Sequence, residues 1–197
     1  MVRFGDIAKI ARGASPRPIY NFITEDENGI NWIKIGDVLP KSKYITTTKQ
    51  KITQEGSKHS RFVKEGDFIL SNSMSFGRPY IMKIKGCIHD GWLSISNFEN
   101  YITSDFLYYL LTSSHIQLLM KQKASFGGAV SNLNADIVRD IDIIIPTLEK
   151  QQEIVSVLDR FDSLCNDISE GLPAEIEARQ KQYEYYRDKL LSFKETM

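Results

Sequence analysis

The chain has 197 residues, 42% of them apolar, which suffices for one packed domain and an appendage. No apolar run approaches membrane-spanning length and the first residues lack the apolar segment of a secretory leader, while Cys87 and Cys165 stand in unrelated segments, so we expect a cytoplasmic protein without a disulfide framework. The 25 basic and 25 acidic residues cancel, but unevenly: 7 Lys/Arg against 11 Asp/Glu follow Pro146, leaving 18 against 14 before it, so the two parts carry about +4 and −4.

The first 145 residues mix short strands and helices. Residues 31–37 alternate in polarity and then turn at Gly36-Asp37, as a half-buried strand does. Gly66-Asp67 reads as a turn entering a second strand over 68–71, and residues 79–84, 86–89 and 92–95 read as three more. Ser104 is a candidate helix cap, with Asp105 in the first turn and Phe106, Leu107, Leu110 and Leu111 at helical spacing. Ser113-Ser114 interrupts this helix before Ile116, Leu118, Leu119 and Met120 continue it; Gly127-Gly128 opens a polar loop ending at Asn132-Leu133-Asn134. A short apolar run over 141–145 leads into Pro146. No βαβ rhythm is present, so the fold class is α+β: a mixed α/β domain over residues 1–146, followed by a long-helix, coiled-coil-type segment over 147–197.

In that segment Thr147 can cap a helix whose first turn carries Glu149. Ile154, Val157 or Leu158, Phe161, Leu164 or Cys165, and Ile168 recur every three or four residues. Gly171 suits a helix end and Pro173 a helix start, and a second stripe follows in Ile176, Tyr183, Tyr186, Leu190 and Phe193. Such narrow stripes need a partner. A hairpin folded back on its own domain and a helix from another chain both satisfy them, and the aromatic second stripe favours a buried interface. The helices can run on as one kinked rod or fold as a hairpin at Gly171-Leu172-Pro173.

Catalytic motifs are missing. No glycine is followed by another two positions later, which excludes a G-x-G-x-x-G turn, and no P-loop is present. There is no Pro-Pro pair, hence no Asn/Asp-Pro-Pro-aromatic motif, and no acidic residue followed two positions later by Lys. Cys87, His89 and Asp90 lack a second cluster that would complete a metal site, and Ser71-Asn72-Ser73 lacks a nucleophile elbow. We expect no catalysis, metal or cofactor in this chain. Its chemistry lies in a basic stretch, where Lys41, Lys43, Lys49, Lys51, Lys58, Arg61 and Lys64 are opposed only by Glu55. A field of that kind attracts phosphate whatever the total charge, although a lysine-rich solvated loop has the same composition.

Four stretches resemble the specificity subunit of type I restriction–modification enzymes, in a half-length form with a single target-recognition domain. They are Gly5-Asp6-Ile7-Ala8 with Arg12-Gly13 and Ser15-Pro16; Trp32-Ile33-Lys34-Ile35-Gly36-Asp37; Gly66-Asp67-Phe68-Ile69-Leu70-Ser71-Asn72-Ser73 with Gly77-Arg78; and Gly127-Gly128-Ala129-Val130-Ser131-Asn132-Leu133-Asn134 followed by Ile145-Pro146-Thr147-Leu148-Glu149-Lys150-Gln151-Gln152-Glu153-Ile154 and the helix over 183–193. The resemblance implies a non-catalytic subunit that reads double-stranded DNA, docks modification (methyltransferase) subunits and restriction subunits through its helices, and pairs as a homodimer to read a bipartite palindromic site. A module that binds only proteins through its helical tail is the alternative.

On this reading Lys34, Lys41, Lys43, Lys49, Lys51, Lys58 and Arg61 are expected at phosphates, with Lys121, Lys123 and Ser125 as a second group. Asn72, Ser73, Arg78, Asn132 and Asn134 are candidates for reading bases, since Arg suits guanine and Asn suits adenine; Asn132 and Asn134 can equally cap the next helix. Ile154, Leu158, Phe161, Ile168, Ile176, Tyr183, Tyr186, Leu190 and Phe193 are expected at the dimer and subunit interface.

Overall fold

The structure is a computed structural model that describes residues 1–39, 42–72, 76–125, 132–167 and 173–192. In chain order its strands are β1 (Val2–Arg3), β2 (Lys9–Arg12), β3 (Ile23–Thr24), β4 (Ile30–Ile33), β5 (Tyr44–Ile45), β6 (Gln50–Ile52), β7 (Arg61–Val63), β8 (Phe68–Ser71), β9 (Pro79–Met82), β10 (Gly86–Ile88), β11 (Trp92–Ser96) and β12 (Asp142–Ile143). The helices are α1 (Phe4–Ile7), α2 (Gln54–Lys58), α3 (Ser104–Thr112), α4 (Ser114–Ser125), α5 (Ala135–Arg139), α6 (Leu148–Asp167) and α7 (Pro173–Leu191). One five-stranded sheet has the order β2-β11-β8-β9-β5, a second has the order β3-β6-β4-β10-β7, and β1 pairs with β12.

The first sheet lies between the helices and the second sheet. Strand β8 shows why: Phe68 and Leu70 point into the helical side, Ile69 points to the other sheet, and all three are fully buried. A strand covered on both faces reads as a continuous apolar run, as 68–70 does. On the helical side Leu93, Ile95 and Ile81 meet Phe106, Leu107 and Leu110 of α3. Between the sheets Tyr80, Met82 and Trp92 meet Ile33, Val63 and Ile88. Gly66 holds a φ of +88°, so the Gly66-Asp67 turn into β8 is as expected from sequence, and Lys64 N–H donates to Asp67 Oδ2 at 2.8 Å to close it.

Local boundaries differ modestly from expectation. The strand over 31–37 ends at Ile33, because Asp37 accepts from Lys34 N–H at 2.8 Å and turns residues 35–37 into a 3₁₀ helix. The cap of α3 is Thr103, whose hydroxyl accepts from Phe106 N–H, while Ser104 is the first helical residue.

The tail forms an antiparallel hairpin laid on the body. Ile154 (4% exposed), Leu158 (0%) and Leu191 (8%) share one core with α3, and Tyr183 and Leu190 pack against it. Phe161 of α6 stacks on Tyr186 of α7 with centroids 6.0 Å apart, and Arg187 Nη2 donates to Ser114 Oγ at the start of α4. Of the residues expected at the interface, Ile154, Leu158, Tyr183 and Leu190 pack into or against the chain's own core, and Phe161 stacks on Tyr186, which stays 38% exposed. Helical periodicity says that a face must be covered and is silent about what covers it. Ile168 and Phe193 lie outside the described residues, as does the side chain of Ile176.

Polar contacts fix the hairpin's seat. Gln151 is fully buried; its Oε1 accepts from Thr103 N–H at 2.8 Å, and its Nε2 donates to Tyr101 O and Pro146 O at 3.0 Å each. Tyr109 OH donates to Asp159 Oδ1 at 2.5 Å, and this bond together with burial pushes the phenol far above its ordinary pKa. No helix among the described residues is long and apolar enough to cross a membrane.

Two outcomes follow. Gln151→Leu should destabilise the fold by about 3 kcal/mol, since three part-buried backbone groups lose their partner, whereas Gln152→Leu on the exposed side should cost less than about 1 kcal/mol; urea unfolding measures both. Leu158→Ala should lower the unfolding midpoint by an amount equivalent to about 2–5 kcal/mol, independently of protein concentration, as a core rather than an intermolecular contact requires.

Candidate nucleic-acid interface

The second sheet and its connections carry most of the basic stretch, while on its side away from the first sheet Trp32, Ile52 and Cys87 are buried with Ile19, Ile23 and Ile30 packed against them. Strand β6 places Gln50 opposite Trp32 and Lys51 opposite Asn31, so the two side chains leave on opposite faces. Lys49, just before the strand, is exposed and makes no side-chain hydrogen bond or ion pair among the described residues. Lys51 Nζ donates to Glu27 O at 2.8 Å, Lys58 pairs with Glu55 at 2.6 Å within α2, and Arg61 Nε donates to Arg12 O at 3.2 Å. These contacts are at the surface and leave charge facing solvent.

Lys43 differs. It is half-buried, donates to Asp105 Oδ1 at 2.7 Å and lies 4.7 Å from the Tyr108 ring centroid and 5.5 Å from that of Tyr109. Burial pulls its pKa down, but the bond to and charge of Asp105, with Tyr44 and Asp159, together outweigh this and leave it raised. It fastens the β5 edge to α3 and is paired with a carboxylate, unlike Lys49.

The expected base readers are mostly engaged. Asn72 is buried; its Nδ2 donates to Asp90 O at 2.9 Å, and its carbonyl accepts from Leu133 N–H. Asn134 caps α5 by accepting from Ile137 N–H at 2.8 Å, one of the two roles the sequence left open. Both side chains make structural hydrogen bonds within the chain. Arg78 lies over the Tyr80 ring and, with Lys121, lines a groove of about 420 Å³ with Phe76 and Gln117. Lys123 Nζ donates to Asp140 O at 3.1 Å, and Asn132 is exposed. Lys41, Ser73 and the side chain of Ser125 lie outside the described residues.

Against the outer face of the second sheet lies a cavity of about 460 Å³ that sequence reasoning missed. Its lining includes Arg17, Tyr20, Trp32, Lys34, Gln50 and Asp90. Three separate segments build it: the loop after β2, the strands β4 and β6, and the turn between β10 and β11. Lys34 Nζ donates to Gln50 Oε1 at 2.7 Å. Trp32 is nearly buried (2% exposed), whereas Tyr20 is 76% exposed at the rim.

The turn His89-Asp90-Gly91 holds these segments together. The Asp90 carbonyl accepts from Arg12 Nε and Asn72 Nδ2, and its carboxylate accepts from Ser15 Oγ at 3.0 Å and Arg17 Nη2 at 3.1 Å. Burial pushes the Asp90 carboxyl up, but the bonds from Ser15, its own backbone and Arg17 prevail and hold it below its ordinary value. His89 Nδ1 accepts from Gly91 N–H at 2.6 Å, while Ile35 N–H lies 3.3 Å from Nε2; a neutral imidazole has one acceptor nitrogen, so the shorter bond takes it. Burial depresses the His89 pKa and keeps it neutral. Gly13 runs so close beneath this turn that a Cβ there would lie 2.0 Å from His89 O. Among the described residues no group of three His, Cys, Asp or Glu is placed to hold a metal ion.

Comparison with known proteins agrees with this architecture. Residues 1–178 match the family model described as the type I restriction modification DNA specificity domain. The chain is 33% identical over 196 residues to the type I restriction enzyme EcoR124I/EcoR124II specificity subunit of Escherichia coli, covering 96% of this chain and 47% of that protein. It is 27% identical over 186 residues to the type I restriction enzyme MpnII specificity subunit of Mycoplasma pneumoniae, covering 94% of this chain and 47% of that protein. The crystal structure of the HsdS subunit from Thermoanaerobacter tengcongensis superposes with a TM-score of 0.66 at 19% identity, covering 96% of this chain and 44% of that one, a likeness of fold. The chain thus spans about half the length of the curated relatives it matches. With a family model covering nearly all of it and a relative at one-third identity along its length, the chain belongs to the type I restriction modification DNA specificity domain family.

Proposed function

We propose that this chain reads one half of a bipartite site on double-stranded DNA for a type I restriction–modification assembly, and that it contributes no catalysis of its own. Family membership carries the reading, and the placement of charge supports it: Lys34, Lys49, Lys51, Lys58 and Arg61 all belong to the second sheet and its connections. Residues 1–146 are the DNA-reading domain on this proposal, and residues 147–197 the helical part that pairs and docks the modification subunits, in an assembly that also takes restriction subunits. S-adenosylmethionine chemistry and DNA cleavage then reside in those partners.

Binding to duplex DNA should weaken steeply as salt rises, because cation–phosphate contacts release counterions. Lys49→Ala should weaken binding to every sequence alike and shallow the log–log salt dependence by roughly one unit. Titration of labelled duplex at several salt concentrations measures both. An affinity for duplex that is absent or insensitive to salt would leave the protein-interaction reading in its place.

Pairing of two copies is the finer part of the proposal. With Ile154 and Leu158 buried, the surface left for it is the outer side of the hairpin, where Val157 (40%), Tyr185 (62%) and Tyr186 (38%) remain exposed. A twofold pair of identical readers would select inverted repeats. Sedimentation at micromolar concentration should show a dimer that Tyr185→Asp converts to monomer, and a monomeric parent chain would refute the pairing.

A further inference from the structure

We infer that Gln50, held in one orientation by Lys34, reads a guanine in the target, with its amide nitrogen donating to an acceptor on the base edge. The inference rests on the proposed DNA-reading function and specifies the chemistry of its cavity. A Gln side chain free to turn suits adenine, because its oxygen accepts from N6 while its nitrogen donates to N7. Here a cation stands at that oxygen and disfavours the approach of the N6 amino donor. Lys34 Nζ can only donate, so the 2.7 Å contact fixes Oε1 as the acceptor and aims Nε2 elsewhere. No hydrogen bond among the described residues uses Nε2, which leaves two N–H donors at the cavity.

The neighbouring groups have the same polarity. Lys34 keeps two N–H donors beyond the one given to Gln50. Arg17, whose side chain is 81% exposed, spends one nitrogen on Asp90 and leaves the rest of its fork at the rim. Oε1 of Gln50 already accepts from Lys34, and the two Asp90 carboxylate oxygens accept from Ser15 and Arg17, so each acceptor faces a donor. A cavity in which the N–H groups of Lys34, Arg17 and Gln50 dominate complements the O6 and N7 pair of guanine better than the N6 amino group of adenine; the Tyr20 hydroxyl at its rim can donate or accept. A phosphate would also accept these donors. It would gain nothing from a neutral amide or from the apolar floor of Trp32, Ile19 and Ile23, and a cavity of about 460 Å³ exceeds its needs.

The test is selection from a randomised duplex pool by the full chain, comparing the parent with Gln50→Leu and Lys34→Met. The parent should select a site with at least one required guanine. Gln50→Leu should lose discrimination at that position by about tenfold or more while the salt dependence stays unchanged, since no charge is removed. Lys34→Met frees the amide to turn and should admit adenine there. If Gln50→Leu folds poorly, Gln50→Glu keeps the shape and the Lys34 contact, removes the donor and should reject guanine. Retention of the full parental preference by a folded Gln50 variant overturns the inference and leaves the function standing. A parent chain that binds DNA with no sequence preference overturns both.

Discussion

One buried amide decides how the two parts of this molecule relate. Gln151 lies in the first turns of α6 and makes three hydrogen bonds to backbone: at the cap of α3, at Tyr101 and at Pro146. Each of those part-buried groups would otherwise lose its partner, at a cost of about 1 kcal/mol apiece. Apolar packing by Ile154 and Leu158 is stronger in total but indifferent to rotation and sliding. The amide is directional, so it sets the angle and register at which the helix leaves the domain. Whatever the far end of the hairpin docks, its position relative to the sheets is fixed here.

A similar economy governs the second sheet. Asp90 lies at the junction of three segments and accepts four hydrogen bonds, from Arg12, Asn72, Ser15 and Arg17. Its carboxylate neutralises one face of Arg17 and leaves the remaining donors pointing outward. The pairing of Lys34 with Gln50 works in the same way, since a cation at the amide oxygen orients an otherwise ambiguous side chain with its N–H groups directed away from it. In both cases an internal contact decides what the surface offers. An exposed ion pair contributes little to stability, and its larger effect here is on the polarity of the cavity.

The sequence made much of the fold legible. The 68–70 run, the turn at Gly66-Asp67, the helices on either side of Ser113-Ser114, the helix start at Pro173 and the α+β class follow from period, caps and turn residues. The candidate site was less legible. Lysines were recognisable by charge, yet nothing local distinguishes Lys49, which is free, from Lys43, which is buried against two tyrosines and Asp105. Asn72 looked like a base reader because its residue type suits adenine; its partner Asp90 is eighteen positions away and invisible to any local pattern. Gln50 and Tyr20 carried no signal of their own. An alternating strand holding one polar residue on its inner-looking face, as Gln50 stands opposite Trp32, was the only hint.

Sequence alone determined the element types, the apolar faces that had to be covered and the family, because these depend on short-range steric preferences and on residue identity in order. Tertiary structure decided what covers each face and which polar groups remain free. The tail's stripes called for a partner, and among the described residues the chain's own α3 and α4 cover much of them. The reason is physical: periodicity encodes the direction in which a side chain points, whereas the identity of its neighbour depends on how distant segments meet. Charge obeys the same rule, since a lysine's availability to DNA is set by the carboxylate or carbonyl that folding places beside it.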